Sequence, residues 1–509
     1  RSGDREDMTT AATVRSIVAG GDIDWQPPIP GAFGSSFRLG EWLTGPVTPL
    51  FEDWALTRIE AAMHAWHFET LGQPAPLPHH VVINGWYFYS LAWLPVTPRA
   101  LLRWAPRLIH RLLTQPRRVA PVIPPTVHFG IDILEREWRD EVLPEYLRAS
   151  EDAAAQVDSL EPGDLVALID DVLEDVGRYF AFVTALAGGA YKAEIQLGTF
   201  YHKHLAPTIG GSHLDLLVGL DEPAGTVSHA VESLDWSHPT VGERPGWTPP
   251  STRPLDAQLQ LRRETAEAAA RQALGADDRR RRTFERLLGQ AQHLGPIREA
   301  QVRELTRPWP TLRRALLRLG AGARANGLIE VDEDVFHLRR AELVAAVEGR
   351  SRVSLARAVA DRRTALAEAA RLKPPLFTGD LPRFFERINR GMLTRLGMEP
   401  GTDAELTGVA VSPGRATGPV RVVLDASGFE TFRPGEVLVA PTTAPAWNPL
   451  FELASAVVTD GGNLFSHASI ASRDYGIPAV VGCGQATGRL IDGQQVTVDG
   501  TRGTVTLAR

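Results

Sequence analysis

The chain has 509 residues, 43% of them hydrophobic and 23% charged, a composition that suits a globular protein of roughly two to four domains. Its formal net charge of −7, with Arg279–Arg282 as the one basic run noticed, argues against a general nucleic-acid or anionic-membrane binder, and no run of about eighteen apolar residues predicts a membrane span. The single cysteine, Cys483, excludes internal disulfides and a Cys-based metal site, so a reducing cytoplasm is the expected location and no metal site is expected.

Residues 1–7 are polar and precede Met8, which reads as a vector-encoded remnant. From residue 8 to about 98 the chain is rich in Trp and Pro. Pro27, Pro28 and Pro30 bar a regular helix, because each removes a donor and fixes φ. A helix-compatible stretch runs from Phe51 to Leu71. Val81–Tyr89 places Asn84-Gly85 between an aliphatic and an aromatic run, the signal of a β-hairpin. The aromatics here have two readings, core packing or the walls of a pocket for a flat organic ligand.

Leu134–Gly188 and Leu255–Arg371 repeat apolar residues at spacings of three and four and predict helices. Thr199–His204 and Ile209–His213 are expected to interrupt them. Proline and glycine cluster at both ends of 373–407, which predicts a connection between domains.

In 408–509 the decisive stretch is Ala454–Gly482. Ala454–Asp460 is a β-branched run ended by Gly461-Gly462, as expected of a strand entering a tight loop. Ser466 then suits a helix N-cap, Gly476 suits the left-handed C-terminal position, and Pro478 forbids continuation. His467 falls at the first helical position. There the unpartnered N–H groups and the positive end of the macrodipole would compensate a phosphoryl group on the imidazole. Gly461 and Gly462 would let backbone approach the same anion, with Ser466 beside it. Taken alone, Ser-His also fits an ordinary capped surface helix.

The whole stretch is more specific than that pair. Gly461-Gly462, Ser466-His467-Ala468 and Arg473-Asp474-Tyr475-Gly476-Ile477-Pro478-Ala479-Val480-Val481-Gly482 resemble the swivelling phosphohistidine domain of enzymes related to phosphoenolpyruvate synthase and pyruvate phosphate dikinase. Phe465 replaces the usual threonine. The flanks Gly408–Gly418, Pro434–Pro441, Pro445–Leu450 and Asp492–Gly503 match as well. The resemblance implies that His467 is the phosphorylated residue. It extends weakly upstream to the substrate domain of rifampin phosphotransferases, where Arg298 and Glu299 fall on an Arg-Glu pair near the transferred phosphoryl. Val302 occupies the place of a lysine there, and Arg303 stands next to it. An arginine suits phosphoryl transfer because its planar fork neutralises charge on the equatorial oxygens, and a helix-surface ion pair is the other reading of Arg298.

The expected fold class is α+β multidomain: a largely α-helical substrate domain (8–372), a connection (373–407) and a small α/β (β/β/α) swivelling domain (408–509). The enzymes it resembles carry an ATP-grasp region that phosphorylates the histidine, and no Gly-rich phosphate loop on a strand is found here. The resemblance therefore implies that ATP and Mg2+ act through a separate ATP-grasp subunit rather than bind here. The expected chemistry passes a phosphoryl group from His467 to a hydroxyl of a small organic substrate, either as the final product or to activate it for dehydration or condensation in secondary metabolism. Catalytic roles fall to His467 and Arg298, substrate contacts to Glu299 and Arg303, and phosphate contacts to Gly461, Gly462 and Ser466. The alternative is a ligand-binding protein, or an enzyme of other chemistry, that keeps the domain as a structural module.

Overall fold

The computed structural model describes residues 23–35, 42–71, 80–90, 98–119, 130–220, 226–245, 257–350, 353–375, 377–380, 405–464 and 466–507. Near the N-terminus a small sheet runs in the order β2-β3-β1-β4, from β1 (Ala32–Gly34), β2 (His80–Ile83), β3 (Trp86–Ser90) and β4 (Phe377–Gly379). The predicted hairpin is β2–β3. Asn84 and Gly85 both take positive φ, 50° and 82°, as its two-residue turn requires. β4 comes from the stretch expected to be a connection. It pairs antiparallel with β1, and β5 (Glu405–Thr407) joins the C-terminal sheet. The stretch 373–407 is thus tied into a sheet near each end.

The helical unit holds α1 (Thr57–Leu71), α2 (Pro98–Thr114), α3 (Ile131–Glu137), α4 (Leu143–Gln156), α5 (Pro162–His204), α6 (Ala257–Leu274), α7 (Asp278–Leu305), α8 (Trp309–Ala325), α9 (Arg340–Val347) and α10 (Ala356–Ala369). A six-residue π-helical turn, Phe51–Leu56, leads into α1. α5 is the 43-residue spine of the unit. α1 and α7 pack on it, and where α1 crosses, Gly177 lets Ile59 backbone approach: a Cβ there would lie 2.4 Å from Ile59 O. The expected break at Thr199–His204 does not occur. Leu197, Phe200, Tyr201 and Leu205 continue the buried stripe of Ala190 and Ala193, so helical packing overrides the polar run and α5 extends to His204. The chain turns only at Gly210 and Gly211, both at positive φ.

The C-terminal unit is one eight-stranded sheet in the order β5-β12-β11-β7-β8-β9-β10-β6, with β6 (Val409–Ser412), β7 (Arg415–Val422), β8 (Val437–Ala440), β9 (Ala456–Thr459), β10 (Ala479–Val481), β11 (Gln495–Asp499) and β12 (Thr504–Leu507). β7 through β10 pair in parallel, and the other pairs are antiparallel. α11 (Asn448–Leu453) links β8 to β9, and α12 (His467–Tyr475) links β9 to β10. β8, β9 and β10 are buried at every residue, as expected of parallel strands covered on both faces. The strand-rich α/β unit after a helical one matches the expected fold class.

Candidate functional site

His467 is placed by the way β9 ends. Asp460 turns the chain by accepting from Thr487 N–H (2.9 Å), and Gly462 sits at φ +107°. Asn463 O then accepts from Ser466 N–H (3.1 Å), Ser466 Oγ (3.0 Å) and Ser469 Oγ (2.6 Å). α12 begins at His467 and ends at Gly476 (φ 68°), where Ile477 N–H reaches back to Ser472 O (3.0 Å), a Schellman closure.

One detail departs from the sequence expectation. Ser466 occupies the N-cap with extended backbone, but its hydroxyl bonds to Asn463 O and Ser469 Oγ and accepts no backbone N–H. The N–H groups of His467 and Ala468 therefore bond to no described residue, and these are the donors the first turn can offer an anion. Gly461 donates its N–H to Pro441 O (2.8 Å), which removes it from the donors a phosphate could use.

The imidazole is held at both nitrogens by its own domain. Its Nε2 lies 2.9 Å from Asn448 Oδ1, and its Nδ1 lies 2.9 Å from Thr443 Oγ1. A carbonyl oxygen can only accept, so this arrangement holds the Nε2–H tautomer, with the Thr443 hydroxyl donating to Nδ1. Thr443 and Asn448 are buried, and the ring stands edge-on to Phe451 (86° between planes). Burial, and secondarily the cation of Arg298, push the His467 pKa down to about 3. The ring is thus neutral at pH 7, the form in which a nitrogen lone pair is available. A phosphoryl group on either nitrogen displaces one of the two contacts.

α12 is docked on the helical unit. Arg473 Nη1 lies 2.8 Å from Glu194 Oε1 of α5, with both side chains buried. Gly219 N–H donates to Arg473 O (3.3 Å), Arg262 donates to Pro413 O (3.1 Å), and Ala426 N–H donates to Glu232 Oε1 (2.8 Å). Ala230 and Val241 of the 226–245 segment pack into the C-terminal unit's core beside Trp447 and Phe451.

Docking sorts the expected site residues into two groups. Arg298 is 8% exposed, with Nη1 3.5 Å from Glu299 Oε1. Both residues line a cavity between α5, α7 and α12, with Glu194, Ile470, Arg473 and Asp474. Arg303 lies elsewhere, in a mostly apolar cavity walled by Trp42, Val231, Leu234, Val302 and the Ala444-Pro445 pair, which directly follows Thr443. Beside that cavity the buried His229 has its Nδ1 3.3 Å from Thr306 Oγ1, and burial holds its pKa down to about 4. His467 is therefore within electrostatic reach of Arg298 in the charged cavity, and its ring partner Thr443 directly precedes the Ala444-Pro445 wall of the apolar one. Sequence reasoning missed Thr443, Asn448, Glu194 and His229. For Glu194 there was a signal, a carboxylate inside the apolar stripe of Ala190, Ala193 and Leu197.

Comparison with known proteins places the region around His467 within a matched family model. Residues 432–503 match the family model "PEP-utilising enzyme, mobile domain". An uncharacterized phosphotransferase, YvkC of Bacillus subtilis (strain 168), is 38% identical over 196 residues, 38% of this chain and 23% of that protein. Rifampicin phosphotransferase of Streptomyces sviceus is 29% identical over 288 residues, 54% of this chain and 32% of that protein. Phosphoenolpyruvate synthase of Escherichia coli (strain K12) is 46% identical over 102 residues, 19% of this chain and 13% of that protein. The chain spans less than a third of the length of each of these relatives.

Proposed function

We propose that this chain, related through its mobile domain to phosphoenolpyruvate synthase and pyruvate phosphate dikinase, is one component of a phosphotransferase in which His467 carries the phosphoryl group. A separate ATP-grasp partner, with Mg-ATP, would charge it: an imidazole nitrogen attacks phosphorus, a P–O bond to the nucleotide breaks, and the ring proton leaves to solvent. Then α12 docks on the helical unit. A hydroxyl oxygen of an organic acceptor attacks phosphorus, the P–N bond breaks, and the hydroxyl proton passes to the departing ring nitrogen, so that the imidazole leaves neutral.

The observation that carries this reading is the docked neutral His467, set at uncapped N–H groups and within electrostatic reach of the buried Arg298. Arg298 would neutralise the equatorial oxygens, and the apolar cavity beside Thr443 would take the carbon frame of the acceptor. Two reaction sites served by one histidine require the C-terminal unit to move, because attack needs the oxygen within about 3–3.5 Å of phosphorus.

Intact-protein mass spectrometry after incubation with the ATP-grasp partner and Mg-ATP tests the reading. An acid-labile phosphate gain that His467→Ala abolishes is expected, and a stable gain on that variant refutes the assignment. No gain on the wild-type chain favours the alternative, in which the domain is a structural module.

A further inference from the structure

A different face of the molecule is used by neither His467 nor the two cavities. α2 and the turn after it, residues 98–119, hold six arginines (99, 103, 107, 111, 117 and 118) and no Asp or Glu, within a chain whose net charge is −7. Arg99, Arg103, Arg107 and Arg111 recur every fourth residue. Leu101, Leu102, Trp104, Ala105, Leu108, Ile109, Leu112 and Leu113 fill the complementary spacing, an amphipathic pattern of basic and apolar halves.

In the structure only part of the apolar half is covered. Leu108 and Leu112 are half-buried, whereas Ile109 and Leu113 are 54% and 78% exposed. Arg107 is exposed, and neither it nor Arg111 meets a carboxylate among the described residues. Ile109 and Leu113, one turn apart and open to solvent, lie on the apolar half. Arg107 and Arg111, with no carboxylate partner among the described residues, lie on the basic half about 200° around the helix. α2 thus presents the apolar and basic sides of a helix that lies in an apolar–anionic boundary.

We infer that α2 is an interfacial helix that holds the protein against an anionic phospholipid surface. Arg107 and Arg111 would engage the headgroup phosphates while Ile109 and Leu113 sink to the acyl boundary. The helix is 17 residues long and rich in arginine, so it lies in the surface, and no helix among the described residues is long and apolar enough to cross a membrane. An acidic protein partner would satisfy the arginines but has less use for exposed Ile109 and Leu113 on the other half of the helix, and lipid satisfies both. The inference is independent of whether His467 carries phosphate.

Sedimentation of the full chain with vesicles is the test, using phosphatidylcholine alone or with about three in ten lipids replaced by phosphatidylglycerol. The chain should pellet with the anionic vesicles, be released by high salt, and stay in solution with the neutral ones. Arg107→Glu/Arg111→Glu should weaken partitioning by roughly 10-fold or more, since each arginine near such a surface contributes about 1 kcal/mol. Leu113→Ser should weaken it without altering the salt dependence. These positions are at the surface, so circular dichroism of the variants should match wild type. Failure to pellet with anionic vesicles overturns the proposal and leaves an acidic protein surface as the occupant. Equal pelleting with neutral vesicles, or no effect of the double charge reversal, overturns it as well.

Discussion

Replacing Glu194 by Gln should loosen the docking of α12 without unfolding either unit. Arg473 and Glu194 are buried against each other, with 6% and 10% of their side-chain surfaces exposed. Removing one member of a buried pair leaves an uncompensated charge and costs about 3–5 kcal/mol, but here the cost falls only on the docked state, because undocking returns Arg473 to water. At the lower end this is roughly a 100-fold shift toward the undocked state. Hydrogen exchange reads it directly, since Gly219 N–H bonds to Arg473 O and Ala426 N–H to Glu232 across the same junction. Both amides should exchange about 100-fold faster in Glu194→Gln, while amides in β8 and β9 keep wild-type rates. Adding Arg473→Gln should recover much of the loss. Acceleration below about 5-fold at both amides would show that the pair contributes little and that the apolar contacts of Ala230 and Val241 hold the interface.

Arg298→Ala should leave His467 phosphorylation intact and slow acceptor phosphorylation by ~100-fold or more in single-turnover quench experiments, the effect of losing one preorganised charge; equal slowing of both steps would refute a role confined to the acceptor site. Asn448→Ala should convert the Nε2–H tautomer of His467 to a mixture, visible in two-bond 1H–15N correlation spectra, and an unchanged spectrum would remove Asn448 as the group that sets the proton. The pKa values of His213, His229 and His467 are pushed down by burial to about 3, 4 and 3. The unfolded chain therefore binds more protons than the folded one below pH 6.5, and stability falls as pH drops through that value toward 3. The urea midpoint should be lower at pH 5 than at pH 7.5, and an equal or higher midpoint at pH 5 would contradict the buried neutral state of these rings. Gly476→Ala should destabilise the docked form by about 1–2 kcal/mol from the left-handed φ alone, with Leu259 Cδ2 2.5 Å from the added Cβ as a further obstacle; no change in the urea midpoint or in Gly219 exchange would count against that reading.

Much of the C-terminal unit was legible because its signals are local. Asp460-Gly461-Gly462, Ser466, Gly476 and Pro478 each fix a turn, a helix start or a helix end within a few residues, so β9, α12 and the helical position of His467 follow from the sequence alone. The Asn84-Gly85 hairpin is legible for the same reason. Local polarity misled at Thr199–His204, where burial of Phe200 and Tyr201 kept the helix intact. The basic half of α2 is not marked by any run of like charge, because its arginines are spaced four apart.

What the sequence determined by itself is which residues open a helix at a histidine, because capping, positive φ and the loss of a donor at proline act over one or two turns. Only the tertiary structure decided what that histidine faces. Thr443 and Asn448 reach its ring through a strand–helix crossover, Glu194 meets Arg473 across 279 residues, and Arg298 and Arg303, five residues apart on one helix, are turned into different cavities. No local rule carries those pairings. They arise when two units bury a shared surface, and the partners are set by which side chains can be desolvated together.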